Sequence, residues 1–332
     1  MSKRIVFAAP EKVELQDYEP KPVEAGEVMI ENLYTVLSAG TERANITNMP
    51  NTVNKFPTVP GYCAVGIVTQ LGEGVTRVKL GDRVIVYHGK HCTHTVMKAE
   101  KLVVVPDAVP SLDAVFTVIA SMGLQGLRKC RPEMGESAAV IGLGLLGLFS
   151  IQCARLNGCY PVIAVDLNDE RLALAKQLGA DFAFRADDPD LKEKVKEATR
   201  GRMCNMVIEV TGAAVALQEA LEIVAPFGRV SLLGCTRISD CNIDFYQKVH
   251  RPGVSLIGAH NWARPLHESA PYYWTREDDY RTLLDFMATG RLKVAPMRSE
   301  IVSPERAPEI YGRLIANPVA PLGIVFDWSL VK

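Results

Sequence analysis

The sequence predicts an α/β protein in which a doubly wound parallel sheet is joined to a mostly β domain. Strands and helices alternate over residues 138–260, which is the pattern of a parallel sheet with helices on both faces. Before this series, short runs rich in β-branched residues alternate with glycine and proline. That pattern indicates a compact β domain.

Composition and charge exclude several classes of protein. The chain has 332 residues, of which 48% are hydrophobic, enough for two filled cores. The 37 basic and 38 acidic residues nearly balance. The sequence has no run of basic residues, so we expect neither nucleic acid nor a membrane as a partner. Ser137 to Ala154 is long enough to span a membrane, but three glycines interrupt it. Eight scattered cysteines, none spaced C-x-x-C, favour free thiols and a cytoplasmic protein.

In the leading β domain, strands are predicted at 28–37, 66–72, 82–87 and 101–106. A helix from Leu112 to Lys129 follows. The alternating series then predicts strands at 138–142, 161–166, 181–184, 206–210, 229–234 and 254–260, and helices at 145–156, 169–178, 190–199 and 213–224. A last strand is expected at 323–328. We expect a β domain over 1–121, an α/β domain over 122–262, and a C-terminal segment, 263–332, that returns to the first domain.

A glycine-rich loop connects the first strand of the series to its helix. Gly142, Gly144 and Gly147 form G-x-G-x-x-G. The first glycine permits a tight turn, the second lets the backbone approach a pyrophosphate, and the third lets the helix pack close to the sheet. Phosphate oxygens would then lie at the helix N-terminus. A buried glycine-rich helix start is the alternative interpretation.

Asp166 ends the next strand, nineteen residues after Gly147. A carboxylate there accepts hydrogen bonds from an adenosine ribose and repels a 2′-phosphate. The cofactor predicted by this constellation is NAD, in preference to NADP, bound by a Rossmann domain.

The chain resembles the medium-chain dehydrogenase/reductase superfamily. The resemblance rests on PGYCAVGIVTQLGEGVTRVKLGDRVIV (60–86), on VDLNDERLALAKQLGAD (165–181), and on the closing strand. It implies a GroES-like catalytic β domain, a Rossmann domain, and a substrate held in the cleft between them. The combination of SAGTE, PGY and His91 is similar to a zinc-free branch that contains bacteriochlorophyllide hydroxyethyl dehydrogenase-like proteins.

The zinc ligands of this superfamily are missing. Where its members carry Cys-Gly-Thr-Asp, this chain has Ala39-Gly40-Thr41-Glu42. Where they carry Gly-His-Glu, it has Gly61-Tyr62-Cys63, and 118–121 offers no third ligand. The four-cysteine zinc loop is also absent. Because zinc needs three or four N, S or O donors, we expect no metal.

The resemblance also assigns cofactor contacts. Gly142, Gly144, Leu145, Leu146 and Gly147 match the pyrophosphate loop. Asp166 and Arg171 match adenosine-ribose contacts. The residues expected near the nicotinamide are Thr211, Gly212, Leu233, Gly234, His260 and Asn261.

Without zinc, hydrogen-bond donors must stabilise the reacting oxygen and move its proton. Histidine titrates near neutrality and can donate or accept. We predict that His91 is the leading proton donor and acceptor, with Tyr62 and His88 as pocket donors and Thr41, which matches the family's relay hydroxyl, in the relay. In the alternative interpretation, both histidines are polar rim residues and Tyr62 is packing. A new zinc site at His88, His91 and Cys92 is disfavoured, because adjacent strand residues point to opposite faces.

The predicted function is an NAD-dependent, zinc-independent oxidoreductase acting on a secondary alcohol, possibly polyol or sugar-like, or on its ketone. A quinone- or enoyl-type reductase of activated double bonds and a non-catalytic dinucleotide-binding protein are the alternatives. The resemblance also implies a homodimer, for which 254–259 would supply the sheet edge. The aromatic residues at 262–274 would cover either the substrate cleft or the domain junction.

Overall fold

The computed structural model describes residues 1–317 and 321–331. Within these residues the strands are β1 Ser2–Ala9, β2 Lys12–Tyr18, β3 Glu27–Val36, β4 Cys63–Leu71, β5 Arg83–Tyr87, β6 His94–Lys98, β7 Val103–Val104, β8 Ala138–Ile141, β9 Val162–Asp166, β10 Phe182–Arg185, β11 Cys204–Glu209, β12 Val224–Leu232, β13 Ser255–Gly258, β14 Glu300–Val302 and β15 Ile324–Asp327.

The α-helices of the same residues are α1 Ala39–Ile46, α2 Ser111–Ala114, α3 Thr117–Lys129, α4 Leu145–Leu156, α5 Asp169–Gln177, α6 Leu191–Ala198, α7 Ala214–Ile223, α8 Arg276–Ala288 and α9 Ala307–Ala316. The chain divides into two compact units. The first comprises Met1–Val118 and Tyr280–Lys332, and the second comprises Ile119–Asp279.

The second unit is built on a six-stranded parallel sheet in the order β10-β9-β8-β11-β12-β13. The inner strand β8 is buried along its whole length, as expected when helices cover both faces of a parallel sheet. The strand order reverses between β8 and β11. In such sheets the ligand binds outside the carboxyl ends of the strands at this switch point. The glycine loop and the 210–212 turn both begin there.

The first unit contains a seven-stranded sheet in the order β14-β15-β3-β4-β5-β7, with β6 also paired to β3. Strands β1 and β2 form a separate antiparallel pair. The closing strand β15 pairs antiparallel with β3, which places Val325 opposite Val36. Helix α9 adds its apolar face to a core that includes Phe7 and Phe326. The end of the chain therefore completes the core of the first unit.

The structure confirms the predicted fold class and differs from the predicted elements in detail. The helix expected from Leu112 to Lys129 is two helices, α2 and α3, interrupted after Ala114. Strands β1, β2 and β14 were not predicted, and polar residues dilute the apolar pattern of the first two. The strand expected to open at His91 begins at His94, as β6. The stretch from Ser137 to Ala154 is strand β8, the glycine loop and most of α4. In the described part of the chain, no helix is both long and apolar enough to cross a membrane.

Residues 263–279, which the sequence assigns to the C-terminal segment, belong to the second unit. One ion pair joins this segment to α3, since Arg128 of the helix contacts Asp279 at 2.5 Å, and Arg264 within the segment contacts the same carboxylate at 2.8 Å. The guanidinium of Arg128 also lies 4.1 Å from the ring centroid of Trp274. Residues 272–274 thus pack on cations at the C-terminal end of α3.

Candidate functional site

The glycine loop leaves room for a phosphate at the start of α4. Gly142 has a φ of +94°, and a Cβ on it would lie 2.5 Å from Cγ2 of Thr211. A Cβ on Gly147 would lie 1.9 Å from the carbonyl oxygen of Gly142. By contrast, nothing lies within 4 Å of the Cβ position of Gly144. The helix begins at Leu145, so the N–H groups of its first turn have no acceptor within the helix.

Asp166 lies beside this loop at the end of β9. Its Oδ2 accepts a hydrogen bond from the Leu143 amide at 2.5 Å, and its Oδ1 accepts one from the Asn168 amide at 2.8 Å. Each carboxylate oxygen keeps a second lone pair, so both remain able to accept bonds from a diol. Arg171 lies in the first turn of α5, where its own amide donates to Oδ1 of the capping residue Asn168.

Glu209 organises the opposite side of the switch point and was missed in the sequence. Its side chain is 2% exposed, and burial raises its pKa. Its Oε1 accepts bonds from the amide and hydroxyl of Thr211, at 2.6 and 2.5 Å, and from the amide of Gly212 at 3.0 Å. Its backbone carbonyl accepts the amides of Leu233 and Gly234. An acidic residue at the end of the apolar run MVIEV was the available signal.

The last predicted cofactor residues follow β13. The carbonyl of His260 accepts a hydrogen bond of 2.6 Å from Nε2 of Gln125, and Nδ1 of His260 accepts the amide of Trp262 at 3.2 Å. The side chain of Asn261 is buried. The glycine loop, Asp166 and the turns at 211–212 and 233–234 therefore fit a bound dinucleotide in an open cradle with a carboxylate at its adenosine end.

In the first unit, Tyr62 lies at the centre of a cluster of hydroxyl groups. Its phenol oxygen is 2.5 Å from Oγ of Ser38. Burial raises the pKa of Tyr62 well above its usual value, while hydrogen bonds from Ser38 and Thr41 act in the opposite direction. The structure therefore brings together Tyr62 and Thr41, both predicted from sequence, with Ser38, which was not predicted. Ser38 precedes α1 as its N-cap, yet its hydroxyl does not cap the helix.

His91 lies in the core beneath this cluster and has no exposed surface. Its Nδ1 is 2.7 Å from Oγ1 of Thr35, and its Nε2 is 3.0 Å from Oε2 of Glu42. Thr35 also accepts a hydrogen bond of 3.0 Å from Nε1 of Trp328, which frees its own hydrogen for His91. This donor order assigns the proton of a neutral His91 ring to Nε2. Both ring nitrogens are thus already paired.

Glu42 receives hydrogen bonds from three parts of the first unit. Its side chain is 2% exposed. Besides the ring of His91, the hydroxyl of Tyr311 donates to Oε2, and the amide of Ser38 donates to Oε1 at 2.8 Å. Glu42 therefore fixes the backbone of Ser38, whose hydroxyl contacts Tyr62. We call this set, Thr35, Ser38, Glu42, His91, Tyr311 and Trp328, the buried polar network.

Gly61 allows the ring of His91 to lie directly against the backbone before Tyr62. The φ of Gly61 is +93°. A Cβ on Gly61 would lie 2.8 Å from the backbone nitrogen of His91 and 2.9 Å from Cγ and Cδ2 of the His91 ring. His88 is exposed and lies on the ring of Tyr87, at a centroid distance of 4.0 Å. Its amide donates to the carbonyl of Tyr62 at 2.9 Å. His94 faces away and contacts Oγ of Ser2 at 3.1 Å.

The donors in this region do not fit a zinc ion. Ala39 offers none, and Tyr62 is engaged with Ser38. Burial raises the pKa of the Cys63 thiol well above its usual value, which opposes the thiolate that zinc requires. Among residues 1–317 and 321–331, no three histidine, cysteine or acidic side chains are grouped as a metal site.

Comparison with known proteins gives the class. A family model described as "Zinc-binding dehydrogenase" matches residues 146–288, and one described as "Alcohol dehydrogenase GroES-like domain" matches residues 24–126. A GroES-like domain joined to a dinucleotide-binding sheet defines an oxidoreductase of the alcohol dehydrogenase type. The chain belongs to the medium-chain dehydrogenase/reductase superfamily, as the sequence predicted.

Individual relatives agree with this assignment. L-threonine 3-dehydrogenase of Pyrococcus horikoshii is 30% identical, with 86% of each chain covered. D-guloside 3-dehydrogenase of Escherichia coli is 25% identical, with 93% of this chain and 95% of that protein covered. The structure of galactitol-1-phosphate dehydrogenase from Escherichia coli superposes with a TM-score of 0.85 at 21% identity, covering 98% of this chain and 99% of that chain.

Replacing Glu42 by glutamine tests the buried polar network. The amide nitrogen of Glu42→Gln would face a hydrogen-bond donor whichever way it is turned, so we expect a loss of about 1–3 kcal/mol in the free energy of unfolding. Urea unfolding followed by circular dichroism measures this loss. Glu31→Gln, at an exposed position of β3, is the control and should unfold as the parent does. Equal midpoints for both variants would show that the network does not stabilise the unit.

Proposed function

We propose that this protein is an NAD-dependent dehydrogenase that interconverts a secondary alcohol and its ketone, with side-chain hydroxyl groups in the role that zinc fills in its relatives. The 2.5 Å contact between the hydroxyls of Tyr62 and Ser38 is the observation that carries this proposal. Tyr62 lies where the resemblance expects a zinc ligand, and its phenol group can offer a proton to a substrate oxygen.

The chemistry divides between the cofactor and the protein. A bound nicotinamide would supply the acceptor for the hydrogen of the carbinol C–H bond and its two bonding electrons. The hydroxyl proton of the alcohol leaves in the same conversion, so each oxidation releases one proton. Tyr62 accepts that proton as its own phenol proton passes to the hydroxyl of Ser38 or Thr41, and the partly exposed Thr41 gives its own proton to water, so that every hydroxyl group ends neutral. Tyr62 stays neutral throughout, which its raised pKa favours.

In the direction of ketone reduction the same groups work in reverse. The phenol of Tyr62 donates its proton to the carbonyl oxygen while that oxygen gains negative charge. The hydroxyl of Ser38 or Thr41 restores the phenol, and the partly exposed Thr41 takes the replacement proton from water. We assign His91 a positioning role, because both its nitrogens are paired within the core. It orients Glu42, and Glu42 in turn holds Ser38 against Tyr62.

A substrate rich in hydroxyl groups fits this proposal. The names of the two relatives, L-threonine 3-dehydrogenase and D-guloside 3-dehydrogenase, describe oxidation at carbon 3 of a polar molecule. We therefore propose a polyol or a sugar derivative. A panel of sugars, glycosides, polyols and hydroxy acids, assayed by the appearance of NADH absorbance, tests it.

Tyr62→Phe removes the phenol hydroxyl and keeps the ring. We expect kcat to fall by roughly 10²-fold or more, while the dissociation constant for NADH, measured by fluorescence, stays within about twofold. The control is Tyr34→Phe, on β3 of the same unit, which should retain full activity.

The metal content of the same preparation provides the second half of this test. Protein purified without chelator should hold no stoichiometric zinc, and dialysis against a chelator should leave kcat unchanged. One zinc ion per chain that activity requires, or full activity in Tyr62→Phe, would overturn the hydroxyl mechanism.

The preference for NAD rests on Asp166, whose carboxylate would repel a 2′-phosphate. We expect Asp166→Ser to shift the ratio of kcat/KM for NAD over NADP toward NADP by roughly tenfold or more. Glu193→Ser, at an exposed position of α6, should leave the ratio unchanged. A parent enzyme that prefers NADP would contradict the assignment and would favour a reductase of activated double bonds.

We also propose that two copies pair through β13, which forms one edge of the parallel sheet in the described chain. Exposed edge strands carry unpaired backbone groups and join readily to a second copy. Light scattering should give twice the chain mass of 36.4 kDa. A mass of one chain at all concentrations tested would exclude the pairing.

A further inference from the structure

Glu209 places a buried acidic group at the end of β11 without a counter-ion from the second unit. Its side chain is 2% exposed. Among the described residues, the partners of its carboxylate are Thr211 and Gly212, and no lysine, arginine or histidine forms an ion pair with it. The start of α7 at Ala214 supplies only the partial positive charge of a helix dipole. Because a buried charge is costly unless it is paired, a cationic ligand would stabilise this site.

The hydrogen bonds indicate that this carboxylate is ionised. Its Oε1 accepts the amides of Thr211 and Gly212, at 2.6 and 3.0 Å, and its Oε2 accepts the Gly212 amide at 3.1 Å. The hydroxyl oxygen of Thr211 accepts the amide of Ala213 at 2.9 Å and lies 2.5 Å from Oε1, which is the acceptor for its hydrogen. Burial raises the pKa of Glu209, but the surrounding donors oppose that change and favour the charged form.

The order of the strands places Glu209 on the nicotinamide side of a bound dinucleotide. The glycine loop after β8 fits the pyrophosphate, and Asp166 at the end of β9 fits the adenosine ribose. Strands β9 and β11 pair with opposite edges of β8. With the adenosine half at β9, the other half of the dinucleotide extends toward β11. Glu209 is the last residue of β11, so its charge lies at this end of the cradle.

The backbone around Glu209 holds its carboxylate in a fixed place. Its carbonyl accepts the amides of Leu233 and Gly234, at 3.0 and 2.9 Å. A Cβ on Gly234 would lie 2.2 Å from the nitrogen of Gly212, so the turns after β11 and β12 pack backbone against backbone. A charge fixed in this way needs no rearrangement when the charge of a ligand changes, which strengthens its electrostatic effect.

We propose that the Glu209 carboxylate is the counter-ion of the oxidised nicotinamide ring. This inference rests on the proposed function, which assigns the cradle to NAD. The ring of NAD carries one positive charge, and the ring of NADH carries none. The fixed negative charge of Glu209 therefore stabilises bound NAD relative to bound NADH. In ketone reduction it also stabilises the positive charge that develops on the ring as the hydrogen and both bonding electrons pass to the carbonyl carbon.

Glu209→Gln tests this role, because it removes the charge and keeps an oxygen for the three donors to Oε1. We expect the dissociation constant for NAD to rise roughly tenfold, and that for NADH to change by less than about threefold. Fluorescence follows the binding of NADH, and its displacement measures the binding of NAD. The control is Glu197→Gln, at an exposed position of α6, which loses the same charge and should leave both constants unchanged.

The two constants separate an effect of charge from a loss of structure. A displaced turn weakens the binding of both cofactor forms alike, whereas the loss of a counter-ion weakens the oxidised form alone. Glu209→Asp keeps the charge on a shorter side chain, so the ratio of the two constants should stay near that of the parent even if both rise. Circular dichroism verifies that each variant is folded.

The outcomes also separate this inference from the function on which it rests. Equal changes of the two constants in Glu209→Gln, or no change in either, would overturn the role of Glu209 alone. A ratio in Glu209→Asp that shifts as far as in Glu209→Gln would overturn it too, since charge would then not be the cause. A parent that binds neither NAD nor NADH would refute the proposed function instead.

Discussion

A buried carboxylate must be surrounded by hydrogen-bond donors, and the first unit is arranged around this constraint at Glu42. An unpaired charge in a core costs several kcal/mol. The donors come from distant parts of the chain: the ring of His91 after β5, the hydroxyl of Tyr311 on α9, and the amide of Ser38 before α1. Satisfying one side chain thus fixes three segments, including the C-terminal helix. The position of the Ser38 hydroxyl beside Tyr62 depends on this set of hydrogen bonds to Glu42.

This constraint also explains which groups remain for chemistry. His91 and Glu42 satisfy each other and are closed to a substrate, and burial keeps the thiol of Cys63 protonated. Among the described residues, the phenol oxygen of Tyr62 hydrogen-bonds to the hydroxyls of Ser38 and Thr41, which can donate and accept by rotating. A short chain of such groups moves a proton without creating a buried charge. A neutral relay of this kind is the part that we propose in place of a metal.

The second unit uses the same principle at its ligand-binding edge. Asp166 and Glu209 each accept backbone amides at the carboxyl end of a strand, and each thereby pins a loop. Asp166 remains half exposed and can still bind a ligand, whereas Glu209 is buried and its side chain accepts hydrogen bonds from Thr211 and Gly212. Burial thus separates a carboxylate that is open to a ligand from one that shapes the turn beside it.

The sequence by itself determined the parallel sheet, the glycine loop and Asp166, because local periodicity and a short motif encode them. It also identified Tyr62 as the residue in the place of a zinc ligand. Only the tertiary structure decided that His91 points into the core and that Ser38 meets Tyr62. Glu42 and His91 are 49 positions apart, and Ser38 and Tyr62 are 24 apart. His91 lies outside the strands, between β5 and β6, so alternation along a strand could not assign the direction of its ring, and packing against other elements decided it.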